Sequence, residues 1–191
     1  MVGHSNLGFA DALRRAEQRG ELTYIGIRHE GAAAFAASAY GKLTGRPAAC
    51  FAIAGPGSTN LLTGLYDAKL DQSPMVAISG QVPSKVLGCG AFQDVDLSAD
   101  NSGSDHAELA ALAVKHAIDG RGVAHLVLPD EVQVQPSAAV AARPEGRLSK
   151  RRIRPDDAAL SDAAALVRDA RRPVLIVGHG ARGAVGAARR G

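Results

Sequence analysis

Short apolar runs alternate along this chain with alanine- and glycine-rich stretches of helical spacing. Ser5 or Asn6 is suited to cap a helix running to Arg19, with Phe9, Leu13 and Ala16 on one face and Gly20 as its stop. The apolar run 22–27 predicts a strand, and residues 30–43 predict a small-residue helix ended by Gly45. Residues 48–54 are apolar enough for a strand buried on both faces. A turn at Gly55-Pro56-Gly57 leads into a helix at 58–70, with Leu61, Leu62 and Leu65 expected inward. A buried strand at 75–79 and a long loop follow, then a helix at 105–118 with His116 on its inner side, and a strand at 123–128. Beyond it lie a helix near 156–169 and a strand at 174–177. This β–α alternation predicts an α/β fold, a parallel sheet flanked by helices, followed by a truncated Rossmann-like domain. The expected division is residues 1–132, a linker at 133–155, and the start of a second domain at 156–191.

Composition narrows the class. Apolar residues make up 46% of the chain, but aromatics only 4%, so alanine and glycine carry much of the core and favour close helix packing. No stretch approaches the roughly 18 uninterrupted apolar residues of a membrane-spanning helix. The first residues lack a secretory pattern, which makes the cytoplasm the expected location. With only Cys50 and Cys89 there is no disulfide framework, and Cys50 reads as a small core residue. The net charge of +3 is uneven: residues 1–130 hold 10 basic and 13 acidic side chains, residues 131–191 hold 12 and 6. The basic cluster Arg143, Arg147, Lys150, Arg151, Arg152 and Arg154 lies among prolines without interleaved aromatics. It reads as a solvated linker rather than a nucleic-acid arm.

Candidate chemistry begins at Arg28-His29-Glu30, where the apolar run 22–27 gives way to Ala32, Ala33, Ala34 and Phe35. An acid at a helix start is ordinarily an exposed residue stabilised by the helix dipole. Among such small apolar neighbours Glu30 can instead be drawn into a desolvated pocket, where a carboxyl group becomes suited to proton transfer. The six histidines show no zinc-site spacing with the cysteines, and no G-x-S-x-G elbow or G-x-x-x-x-G-K-[ST] loop occurs. Gly178-His179-Gly180-Ala181-Arg182-Gly183 fits G-x-G-x-x-G after an apolar run. The acidic ribose partner expected about 20 residues later would fall past Gly191, so a tight strand-to-helix turn is the favoured reading.

The strongest signal is collective. His29-Glu30, Gly41, Gly45, Gly55-Pro56-Gly57-Ser58-Thr59-Asn60, Gly64-Leu65, Asp67-Ala68, Ser73-Pro74, Gly80-Gln81, Phe92-Gln93 and Leu128-Pro129-Asp130 occur in one fixed order. In that order the chain resembles the pyrimidine-binding domain of thiamine-diphosphate enzymes, most closely the pyruvate oxidase and acetolactate synthase group. The resemblance covers about residues 3–130, and residues 156–191 are similar to the start of that family's central domain.

The resemblance implies thiamine diphosphate as cofactor and a 2-oxo acid such as pyruvate as substrate. It implies that Glu30 hydrogen-bonds the cofactor's aminopyrimidine ring and serves its proton relay. Gly55, Pro56, Gly57, Asn60 and Gln81 would line the cofactor, and Phe92 and Gln93 would reach its substrate side. From the residues alone, Gly55-Pro56-Gly57 is equally a β-to-α turn, Asn60 a surface polar residue, and Phe92 a pin for a long loop. FAD use stays open, and no metal ligand is assigned within the chain.

Three departures qualify the resemblance. The family opens with a helix and strand before the segment matching Val2-Gly3-His4. Between Leu97 and Asp105 the chain is shorter than its relatives. Nothing in it matches the Gly-Asp-Gly…Asn motif that holds Mg²⁺ and the diphosphate. Two classes of function follow. In the first, the chain is part of a decarboxylase, carboligase or oxidase whose diphosphate-binding domain lies on a second polypeptide or on the untruncated gene product, with a homo-oligomer or partner chain completing the site; in the second, it is a noncatalytic remnant or assembly module.

Overall fold

The structure, a computed structural model, describes residues 1–95, 106–136 and 154–184. The basic residues at 143–152, most of the expected linker and the segment 97–105 lie outside the described residues. The chain divides into two units, Met1–Lys150 and Arg151–Gly191.

In the first unit the expected parallel sheet is present. Strands β1 (Ala48–Ala52), β2 (Met75–Gln81) and β3 (Val123–Pro129) lie in the order β1-β2-β3. Ala48 pairs with Met75 and Ala52 with Ser79, while Met75 pairs with Val123 and Gln81 with Pro129. Parallel neighbours need a crossover, and helices supply it. Helices α1 (Leu7–Gln18) and α2 (Glu30–Thr44) precede β1; α3 (Pro56–Leu70) joins β1 to β2, and α4 (His106–Gly120) leads into β3. The short α5 (Asp130–Gln133) follows β3 at once.

One core binds α2 and α3 to the sheet: Ala34 and Ala37 of α2, Leu61, Leu65 and Ala68 of α3, and Cys50, Ala52, Met75 and Ala77 of β1 and β2. Cys50 is the small core residue expected, and burial pushes its thiol up to about 12. The helix pair approaches closely because its contacts are small. A side chain at Gly64 would run into Ala34, and one at Gly41 would meet Ser73 and stand 2.6 Å from the Pro74 carbonyl oxygen. At the far end of the pair Asp67 accepts hydrogen bonds from Ser38 Oγ (2.6 Å) and Lys42 Nζ (2.7 Å), which tie α2 to α3. Lys42, with Ser38 behind it, holds the Asp67 carboxyl below its ordinary range. Helix α2 stops as expected at Gly45, whose φ of 70° is left-handed.

On the other side of β1, Phe9 of α1 meets Phe51 edge-on at 5.4 Å. Ser5 and Asn6 do not cap α1; both are buried and bond elsewhere. Ser5 Oγ accepts from the Ala54 amide (2.8 Å), and Asn6 Oδ1 accepts from the Gly3 amide (2.9 Å). Gln133 closes this corner: its Nε2 donates to the Ser5 and Leu128 carbonyls, and its Oε1 accepts from the Phe9 amide at 3.2 Å. Gln133→Ala would leave these partners unsatisfied. We expect a loss of about 1–3 kcal/mol in urea unfolding, against little change for the exposed Gln18→Ala.

A second polar contact joins β2 to β3. Ser79, fully buried, lies 2.8 Å from His125 Nε2, and burial holds the His125 pKa below its ordinary value. Above the unfolded pKa of 6.5 the ring is neutral in both states and the shift costs nothing. As pH falls below 6.5 the unfolded chain takes up the proton first, so stability declines until the lowered folded value is reached. Between pH 7.5 and 5.5 the Tm of the wild-type chain should therefore fall more steeply than that of His125→Gln.

Five further sequence expectations need correction. Residues 22–27 form no strand; Tyr24 and Ile25 are exposed, and among the described residues β1 takes its ladder bonds from β2 alone. Leu62 points outward, since Leu61 and Leu65 already occupy the inner face of α3. His116 is exposed, because Ala113 and Ala117 form the buried side of α4. In the second unit, helix α6 (Asp157–Asp169) is capped by Asp156 Oδ1, which accepts from the Ala159 amide at 2.8 Å. Residues 174–177, however, form no strand and are exposed, having no neighbour among the described residues to complete a ladder. The glycine motif after them forms a 3₁₀ helix, His179–Ala184, in place of the expected helix start.

Candidate functional site

Glu30 opens α2 and is 3% exposed. An acid at a helix start is normally wet, and two features of α3 account for the difference. Asn60, in the second turn of α3, donates from Nδ2 to Glu30 Oε2 at 3.2 Å. Gly57, in its first turn, lies against the other carboxylate oxygen: a Cβ there would stand 3.3 Å from Glu30 Oε1 and 2.6 Å from Ile53 Cγ1. The two helix N-termini also bring positive dipole ends to the carboxylate. The backbone amide of Gly31 is capped by His29 Nδ1 at 3.0 Å.

The turn before α3 needs its glycine. Gly55 caps the helix with φ 64° and ψ −124°, a conformation that side chains disfavour, and Pro56 fills the first helical position. Helix α3 thus begins two residues earlier than the sequence pattern suggested. Ser58 Oγ donates back to the Ile53 carbonyl at 2.6 Å and braces the turn. Gln93, itself at φ 67°, lies directly over it: a Cβ on Gly55 would stand 3.0 Å from both the Gln93 Cβ and its carbonyl oxygen. Beside it Phe92 is 90% exposed, so it pins no loop.

Gln81 sits apart from this group. It is buried at the end of β2, donates to the Val95 carbonyl at 2.9 Å and accepts from the Val82 amide at 2.8 Å. Those bonds fold the loop that carries Phe92 and Gln93. The structure thus gathers Glu30, Gly57 and Asn60 in one place and Gly55 with Gln93 at the adjoining turn. Pro56 is exposed at the same turn. Among the described residues no three His, Cys, Asp or Glu side chains group as metal ligands. No helix among them is long and apolar enough to cross a membrane. Sequence reasoning gave no role to His29 or Gln133. The first had a signal, its place just before a helix, whereas Gln133 bonds residues far away in the chain and had none.

The parallel α/β domain that carries this site belongs to a known class. Residues 1–100 match the family described as thiamine pyrophosphate enzyme, N-terminal TPP binding domain. The chain belongs to that family and carries a thiamine-diphosphate-binding N-terminal domain of the acetolactate synthase-like kind. It is 36% identical over 201 residues to an acetolactate synthase of Arthrospira platensis, covering 94% of this chain and 34% of that protein. It is 34% identical over 192 residues to the acetolactate synthase isozyme 1 large subunit of Escherichia coli, covering 93% of this chain and 33% of that protein. An uncharacterised 42.6 kDa protein of Pseudomonas amyloderamosa is 35% identical over 196 residues, covering 96% of this chain and 49% of that protein. The chain spans about a third of the length of the acetolactate synthases it matches.

Proposed function

We propose that this chain supplies the aminopyrimidine side of a thiamine-diphosphate site that acts on a 2-oxo acid such as pyruvate, by decarboxylation followed by carboligation or oxidation. The observation that carries the reading is the Glu30 carboxylate, buried at a helix start with one oxygen held by Asn60 and the other beside Gly57. These residues fit the cofactor. A carboxylate shielded from water can hold or release a proton at a ring nitrogen, and Gly57, having no side chain, leaves the first turn of α3 close to that carboxylate. When bound, thiamine diphosphate supplies the electron sink for the bond that breaks as carbon dioxide leaves. In this chain Glu30 would hold the proton, Asn60 would orient the carboxylate, and Gly55, Pro56 and Gly57 would form the floor under the ring. Phe92 and Gln93 would bound the substrate side, and Gln81 would act by holding their loop.

Mg²⁺ and the diphosphate would be held by a diphosphate-binding domain outside these residues, on the same gene product or on a partner chain, and FAD could serve as electron acceptor where the product is oxidised. A second reading, an assembly module without catalysis, draws on the exposed row Leu62, Tyr66 and Leu70 along α3. The two readings separate in one assay. The chain is mixed with a protein carrying a Gly-Asp-Gly…Asn domain, thiamine diphosphate, Mg²⁺ and carboxyl-labelled pyruvate, and released carbon dioxide is counted. Release that requires both chains supports the enzyme reading; association of the two chains without release from any simple 2-oxo acid supports the module.

A further inference from the structure

We infer that His29 is a positioning residue for Glu30, acting through a neutral ring nitrogen that caps α2. The functional meaning rests on the reading of Glu30 above, whereas the geometry stands without it. Helices are usually capped by Ser, Thr, Asp or Asn. Here the His29 backbone is extended (φ −132°, ψ 128°) and its Nδ1 accepts the Gly31 amide at 3.0 Å, while its carbonyl accepts from Ala32 at 3.0 Å. A ring nitrogen that accepts an amide proton carries none itself, so the proton of the neutral ring is on Nε2.

The exposed His29 ring also lies against Gly31. A Cβ on Gly31 would stand 3.1 Å from His29 Nδ1, 3.2 Å from its Cε1 and 3.2 Å from the Asn60 carbonyl oxygen. Gly31 therefore sits between the His29 ring and Asn60, the residue whose side chain holds Glu30 Oε2. Ring, glycine, asparagine and carboxylate form one contiguous set. An aspartate could make the same cap only by adding a second negative charge one residue from Glu30. Imidazole satisfies the amide without that charge.

The test is made on the whole chain by NMR, with and without ligand. Wild-type His29 should show the Nε2–H tautomer. In His29→Ala the Gly31 amide should exchange about fivefold faster, the effect of losing a typical cap. The Asn60 side-chain amide signals should also move toward their positions in Glu30→Ala. His29→Asn, which restores a neutral acceptor, should return both. Affinity for thiamine diphosphate with Mg²⁺ should follow the same order, about fivefold weaker in His29→Ala and recovered in His29→Asn. An Nδ1–H tautomer in the wild type, or Asn60 signals unmoved in His29→Ala, overturns the inference. If the Asn60 signals follow His29 but the wild-type chain binds no cofactor, the positioning stands and the cofactor role of Glu30 falls.

Discussion

Glu30→Gln should lower turnover of the 2-oxo acid by about 10²–10⁴-fold, the usual contribution of a positioned acid–base group, while the fold survives. The amide has the shape of the carboxyl group and keeps an oxygen that can accept from Asn60 Nδ2. Helix α2 therefore keeps its start, and the Tm should stay within about 3 °C of wild type, a change of roughly 1 kcal/mol for a chain of this size. What the amide lacks is a proton to hold and pass on. The effect should appear in kcat, with the KM for pyruvate little altered, because the proposal places Glu30 at the cofactor and not at the substrate. A variant with wild-type kcat in the two-chain assay would remove Glu30 from the chemistry.

The largest structural effect is expected at Gly64. A Cβ there would overlap Ala34 and stand 2.9 Å from both the Ala34 carbonyl carbon and the Phe35 nitrogen, so no rotamer change relieves it. The helices would have to separate, and the shared core of Ala34, Leu61, Leu65 and Ala68 would open with them. Gly64→Val should cost about 3 kcal/mol, at the upper end for overpacking, and lower the Tm by about 6–12 °C. Against a total stability of roughly 5–15 kcal/mol that is a large share. Thr63→Val, on the exposed side of the same turn, should change the Tm little. Equal Tm values for the two variants would mean that α2 and α3 do not meet through Gly64.

Gly64 also shows what the ordered motif was reporting. Of the residues that carried the resemblance, Gly41, Gly64, Asp67 and Ser73-Pro74 join α2 to α3 and to the strand behind them. They identified the fold through packing, and only Glu30, Gly57 and Asn60 meet at the carboxylate. Strands β1 to β3 were legible because buried parallel strands are continuous apolar runs. The same composition at 22–27 and 174–177 misled, since a run of apolar residues does not encode whether a neighbour exists to pair with it. Helix α2 was legible from its spacing and Gly45. The burial of Glu30 was not, because the residues that shield it, Gly57 and Asn60, come about thirty positions later. Ser5 and Gln133 were misread or missed for a similar reason: Ser5 bonds Ala54, and Gln133 bonds Ser5 and Phe9, partners that only the folded sheet brings near. Asn6 bonds backward to Gly3 and Met1 instead of forward into α1.

The proposed role of Glu30 is to meet the aminopyrimidine of thiamine diphosphate. Titration calorimetry of thiamine diphosphate with Mg²⁺ into the chain, run beside Glu30→Gln, tests it most directly. A hydrogen bond to a charged group contributes about 1.5–3 kcal/mol, so the account predicts saturable binding that the substitution weakens by about tenfold or more. Equal affinity of the two proteins would contradict it.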